Sequence, residues 1–127
     1  MNEPELPPWF KEQLARLNQL QQNLQAVQMQ KQQIEIELVE IDKALEELKK
    51  INAADAVYKT AGPVLIKANR DDVVKELEEK KELSNTRVMV LSKQETRVKE
   101  NLKEIQTKID EMVRGATADG GTRPRAE

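Results

Sequence analysis

The sequence predicts a mainly α protein: two long helices folded back on one another as an antiparallel coiled coil and joined by a β-hairpin. Three observations carry this expectation. Of 127 residues only 38% are hydrophobic and 35% are charged, with one Trp, one Tyr and one Phe, which is too little apolar bulk for a thick globular core. The apolar residues step by three and four along two stretches of equal length. Between those stretches lies VYKTAGPVLIKANRDDV, residues 57 to 73, a β-branched segment with Ala-Gly-Pro at its centre.

The first helix is placed at residues 9 to 52, after an N-terminal extension of residues 1 to 8. Its seam runs Phe10, Leu17, Leu20, Leu24, Val27, Ile34, Leu38, Ile41, Leu45 and Leu48, with Gln13 and Lys31 as the two polar members of twelve. No Gly or Pro falls between Trp9 and Asn52, so nothing in the interior breaks the helix. The second helix is placed at residues 71 to 114. Asn69 suits an N-cap, and Asp71 and Asp72 put negative charge in the first turn, where free N–H groups favour it. Its seam is Val74, Leu77, Val88, Leu91, Val98, Leu102, Ile105, Ile109 and Met112, with Lys81, Ser84 and Glu95 polar. Gly115 marks the end, and residues 115 to 127, with three Gly, one Pro and almost no large apolar group, read as a disordered tail.

Equal seams on either side of a compact turn pair antiparallel, with partner residue numbers adding to 122: Leu48 against Val74, Ile34 against Val88, Phe10 against Met112.

The connection reads as a hairpin over residues 56 to 67. An isolated two-stranded hairpin is marginal in water, and this one carries apolar groups on both faces, with Val57 and Leu65 expected on one and Tyr58, Val64 and Ile66 on the other. A single pair of helix ends covers at most one face, and both strand edges stay open. Val57, Tyr58, Val64, Leu65 and Ile66 are therefore assigned to assembly: a fragment of sheet completed by neighbouring chains. Leu83 and Val90 on the second helix, with Ile36 and Val39 on the first, form further apolar surface off the seam.

Composition excludes several function classes. With no Cys and no His, neither a transition-metal site nor a Ser-His or Cys-His pair can be built. Asp71 and Asp72 are adjacent on a helix and point about 100° apart, so they are helix-start acids rather than a catalytic carboxylate pair. Gly62 stands without any phosphate-loop pattern, and no cofactor or enzymatic activity is expected. Twenty-one basic against 23 acidic residues give a net charge of -2, and the signs alternate along the helices, which argues against nucleic acid and anionic membranes as partners. Lacking a basic leader and any run of about 18 apolar residues, the chain is expected to be cytoplasmic.

The stretch DAVYKTAGPVLIKANRDDVVKELEEKKE, set between two heptad helices, resembles the β-type subunit of archaeal prefoldin, a holding chaperone. The resemblance spans residues 9 to 114 and is most specific at the VYK to LIK hairpin followed directly by a charged helix start. It implies an assembly of two α-type and four β-type chains whose hairpins join into an intersubunit β-barrel platform from which the coils hang. It also implies that unfolded polypeptide is held between the distal tips without ATP and passed to a group II chaperonin. At that end this chain offers Leu6 from the N-terminal extension, Trp9, Phe10, Leu14 and Leu17 from the first helix, and Ile105, Ile109, Met112 and Val113 from the second. Two of the three aromatic residues sit in this cluster. A passive coiled-coil tether or scaffold is the competing expectation.

Overall fold

The computed structural model describes residues 6–120, with side chains through residue 115. The element order is α1 (Pro8–Lys49), β1 (Val57–Ala61), β2 (Val64–Ala68) and α2 (Arg70–Gly120). The chain divides into two compact units. A terminal unit joins Met1–Gln28 to Lys93–Glu127, and a hairpin unit comprises Met29–Ser92.

The heptad stripes become the core in both units. Each of the twelve seam positions on α1 and the twelve on α2 is buried or half-buried, and the residues between them are almost all exposed. The innermost side chains are Ile34, Ile41, Leu45 and Leu91 in the hairpin unit and Leu102 and Ile105 in the terminal unit. A seam one side chain thick leaves even these slightly accessible. Burial of such a side chain contributes roughly 1.5–3 kcal/mol when complete, so the helices are held by the length of the seam rather than by depth.

Polar contacts across the seam report the register. In the hairpin unit Lys81 Nζ lies 2.7 Å from Asp42 Oδ1 and Ser84 Oγ donates to Glu37 Oε1 at 3.3 Å. In the terminal unit Gln28 Nε2 donates to Glu95 Oε2 at 3.1 Å. The residue numbers of each pair add to within one of 122, the pairing expected from the two seams. Ser84, only 2% exposed, is tolerated in the seam because its hydroxyl has this carboxylate partner.

The helix ends follow local chemistry. Pro8 opens α1, where its missing N–H costs nothing, and the Pro7 carbonyl accepts from the Phe10 and Lys11 amides at 3.0 Å. At the other end α1 stops at Lys49, short of Asn52, because Asn52 and Asp55 form a turn of their own. The Asn52 amide donates to Asp55 Oδ2 at 2.9 Å and the Asp55 amide to the Asn52 carbonyl at 3.0 Å. Short polar side chains offer the backbone this alternative to a helix. Asn69 caps α2 as expected, its Oδ1 accepting from the Asp71 and Asp72 amides at 2.9 and 3.2 Å. α2 then runs past Gly115 to Gly120, so the two helices are not equal in length (42 and 51 residues). A glycine inside a helix costs only about 1 kcal/mol, and Gly115 does not adopt the positive φ that would terminate one. Residues 121 to 127 of the expected tail lie outside the described residues.

Arg70, the first residue of α2, joins the two helices where the chain reverses. Its Nε donates to the Leu48 carbonyl at 2.7 Å, satisfying one of the open carbonyls at the end of α1, and its Nη1 lies 2.8 Å from Asp71 Oδ1. The guanidinium fork serves both partners at once, which an ammonium group does not reproduce. Arg70→Met is expected to destabilise the fold by about 1.5–3 kcal/mol, with Arg70→Lys recovering little of it. Urea unfolding followed by circular dichroism at fixed chain concentration measures both.

Candidate functional site

Two groups of side chains stand out, one in each unit. The first is the hairpin. β1 and β2 pair antiparallel with Val57 opposite Ala68, Tyr58 opposite Lys67, Lys59 opposite Ile66, Thr60 opposite Leu65 and Ala61 opposite Val64. Gly62 and Pro63 form the two-residue connection. Gly62 has φ +62°, and proline fixes a negative φ at the next position, so the turn is of type II′; type I′ would need positive φ at both. Pro63 removes no ladder hydrogen bond, because the cross-strand pairs close at Ala61 and Val64.

This turn corrects the expected faces. A two-residue loop places residues of opposite parity across from each other, and cross-strand partners share a face. Val57 therefore shares a face with Lys59, Ala61, Val64, Ile66 and Ala68, whereas Tyr58 and Leu65 share the other with Thr60 and Lys67. The expectation had paired Val57 with Leu65 and Tyr58 with Val64 and Ile66.

The two faces differ in environment. On the first, Val57 is buried in the chain's own fold and Lys59 Nζ reaches Glu76 Oε2 of α2 at 3.2 Å. That face is thus tied to the helix at the β1 side, with Val64 and Ile66 still about half accessible. On the second, Tyr58 and Leu65 are exposed, Leu65 by 68%. Of the five residues assigned to assembly, four present apolar surface and Val57 is used internally.

The second group lies in the terminal unit. Trp9 and Phe10 pack edge to face, with ring centroids 5.7 Å apart and planes at 85°. Leu6, Trp9 and Val113 are exposed, while Phe10, Leu14, Leu17, Ile109 and Met112 are half-buried. Ile105 is 6% exposed. It closes the seam and offers a ligand nothing while the helices stay paired. Beside it runs an open groove lined mostly by charged side chains, among them Arg16, Lys103, Glu104 and Lys108, so the apolar surface is confined to the helix termini.

One seam residue in this unit is chemically anomalous. Gln13 is 7% exposed, and its Oε1 is buried without a hydrogen-bond partner. An unsatisfied buried oxygen costs about 1–3 kcal/mol, so the terminal coil contains a layer that works against its own closure. Periodicity marked Gln13 as a polar seam member but carried no information about its partner. Arg70 and the Lys59–Glu76 contact were not singled out from sequence either, since isolated basic and acidic residues are too common in this chain to signal a pairing.

The arrangement can be compared with known proteins. A family model described as "Prefoldin subunit" matches residues 11–116. The prefoldin subunit beta of Archaeoglobus fulgidus is 43% identical over 109 residues, 86% of this chain and 94% of that protein. The chain belongs to the prefoldin β-subunit family. The prefoldin subunit beta of Caldivirga maquilingensis is 38% identical over 117 residues, 92% of this chain and 95% of its own length. The crystal structure of the prefoldin beta subunit from Thermococcus strain KS-1 shares the fold with a TM-score of 0.77 at 38% identity, covering 88% of this chain and 98% of that one. Prefoldin subunits are chaperone components, and membership makes this chain one subunit of a hetero-oligomer with other prefoldin subunits. Among the described residues no helix is long and apolar enough to cross a membrane, and no cluster of acidic side chains is arranged to hold a metal.

Replacing Gln13 by Leu removes the orphan oxygen and completes the apolar seam. The expected outcome is a gain of about 1–3 kcal/mol in stability, read as a higher thermal midpoint at fixed chain concentration. An unchanged or lower midpoint would show that the glutamine is satisfied in solution.

Proposed function

We propose that this chain is an ATP-independent holding subunit that binds unfolded or nascent polypeptide through its terminal unit and passes it to a group II chaperonin. In this reading two α-type and four β-type chains assemble in the cytoplasm, with Tyr58, Val64, Leu65 and Ile66 forming intersubunit β-barrel wall. Val57 anchors that hairpin to its own helices. Clients meet Leu6, Trp9, Phe10, Leu14, Leu17, Ile109, Met112 and Val113, and Ile105 joins them only where the coil opens.

The observation that carries the reading is that each unit of this prefoldin β-family chain exposes an apolar surface of its own. One lies on a hairpin that lacks the strands to complete it; the other surrounds the helix termini, around Leu6, Trp9 and Val113. Each apolar side chain covered by a client contributes on the order of 1–2 kcal/mol. Such contacts are non-directional, so they accept many sequences, and several coils acting together give avidity while each contact remains reversible. The stretch QLQQNLQAVQMQKQQ, residues 19 to 33, holds eight Gln and a single charge. An uncharged wall of this kind neither repels nor electrostatically selects a client.

Removal of residues 1 to 10 together with 112 to 127 is expected to abolish suppression of aggregation of an unfolded test protein while leaving the mass of the assembled oligomer unchanged. Trp9→Ala with Phe10→Ala should weaken suppression in the same direction. Undiminished suppression by the truncated chain would take the helix termini out of the mechanism. A chain that never slows aggregation at near-stoichiometric amounts would instead be a tether.

A further inference from the structure

Apolar contact alone does not distinguish an unfolded polypeptide from any other apolar surface. The difference lies in the backbone. In a folded protein more than about nine-tenths of the buried N–H groups are already paired, whereas an unfolded segment has N–H groups to give. A surface that selects unfolded polypeptide by its chemistry therefore needs a hydrogen-bond acceptor among its apolar side chains.

The terminal unit holds one. Gln13 is 7% exposed, and its Oε1 is buried with no hydrogen-bond partner among the described residues. On α1 it stands four residues after Trp9 and three after Phe10, the spacings at which helix side chains adjoin. Those two rings pack edge to face. On α2 its register partner is Ile109, the two numbers adding to 122, with Met112 and Val113 three and four places further on. Trp9 and Val113 are exposed, while Phe10, Ile109 and Met112 are half-buried. The Phe10/Met112 layer is thus the one seam layer between Gln13 and the start of α1. None of the other side chains assigned to the client surface carries an oxygen.

Dehydration sharpens what this oxygen can recognise. An acceptor exposed to water gives up a hydrogen bond when a ligand arrives, and the exchange is nearly even. The Gln13 oxygen has already lost that bond on folding, so an incoming N–H adds one without the loss.

We propose that Gln13 is a specificity-determining residue of the terminal unit: when the Phe10/Met112 layer parts to admit a client, Gln13 Oε1 accepts a hydrogen bond from a backbone N–H of the unfolded polypeptide. This rests on the reading of the helix termini as the client surface and names what that surface selects, a segment that brings apolar side chains together with unpaired amides. It also accounts for a glutamine in the seam. Leucine at this position would close the coil better and leave the client's amide without an acceptor.

The test titrates the assembled oligomer with two fluorescently labelled peptides of one unstructured apolar sequence, one unmodified and one with alternate backbone amides N-methylated. Binding is read by anisotropy. The wild type is expected to bind the unmodified peptide about tenfold more tightly. Gln13→Leu and Gln13→Met keep apolar bulk at the position and remove the oxygen. Both are expected to lose about tenfold for the unmodified peptide and to bind the two peptides within about twofold of each other, with helix content and oligomer mass unchanged. Simple apolar binding gives the opposite sign, because either variant enlarges the apolar surface. A wild type that does not distinguish the peptides overturns the proposal, as do variants that keep the wild-type preference or bind the unmodified peptide more tightly. If in those cases Trp9→Ala with Phe10→Ala still weakens binding of both peptides, the client reading of the termini stands without Gln13. A wild-type oligomer that binds neither peptide overturns both.

Discussion

Two helices packed against each other bury one stripe apiece, and among the described residues only a two-stranded hairpin is added to them, too small to cover the outer faces. Every other feature of this chain follows from that constraint. The seam accepts Ser84 because Glu37 supplies its hydroxyl with a partner, and the Lys81–Asp42 contact crosses the same boundary between seam and solvent. An apolar side chain placed off the seam stays in water unless another chain covers it. In a thick globular fold, exposed leucines scattered over a surface carry little information. Here the interior is so narrow that each one records a decision about contact with something else.

The hairpin is the sharpest instance. It is ordered by its type II′ turn, by Val57 tucked into its own unit, and by Lys59 held to Glu76, yet it presents Tyr58 and Leu65 outward. Arg70 contributes at the base, where from the first residue of α2 it binds the Leu48 carbonyl near the end of α1. The chain thus spends its internal contacts on orienting a surface it cannot itself cover. The terminal unit works in the opposite sense. Its seam holds Ile105 and Leu102 firmly inside, but Gln13 leaves an oxygen without a partner, and Trp9 and Leu6 extend beyond the paired region.

Much of this was legible in the sequence, for reasons that differ by element. The seams could be read because a two-helix coil has a single periodicity and no competing core: all twenty-four heptad positions came out buried or half-buried. The Asn69 cap and the first-turn acids could be read because capping depends on residues within one turn. The hairpin existed in the sequence, but its faces were assigned wrongly, since sharing a face depends on the number of loop residues and not on alternation within either strand. The end of α2 was misplaced because Gly115 is only mildly unfavourable in a helix, and α2 continues through it. Arg70 and Gln13 were illegible as to role: one depends on a carbonyl 22 positions away in the chain, the other on a partner that is absent.

The ladder between β1 and β2 uses one side of each strand, which leaves the outward N–H and C=O groups of both strands available to pair. In polymer terms each hairpin is a divalent monomer. Units of valence two either grow without limit or bite their own tail, and the right-handed twist between neighbouring strands turns each addition in the same direction. Curvature of that kind favours a small closed ring, which converts a motif otherwise suited to fibre growth into a particle of finite size.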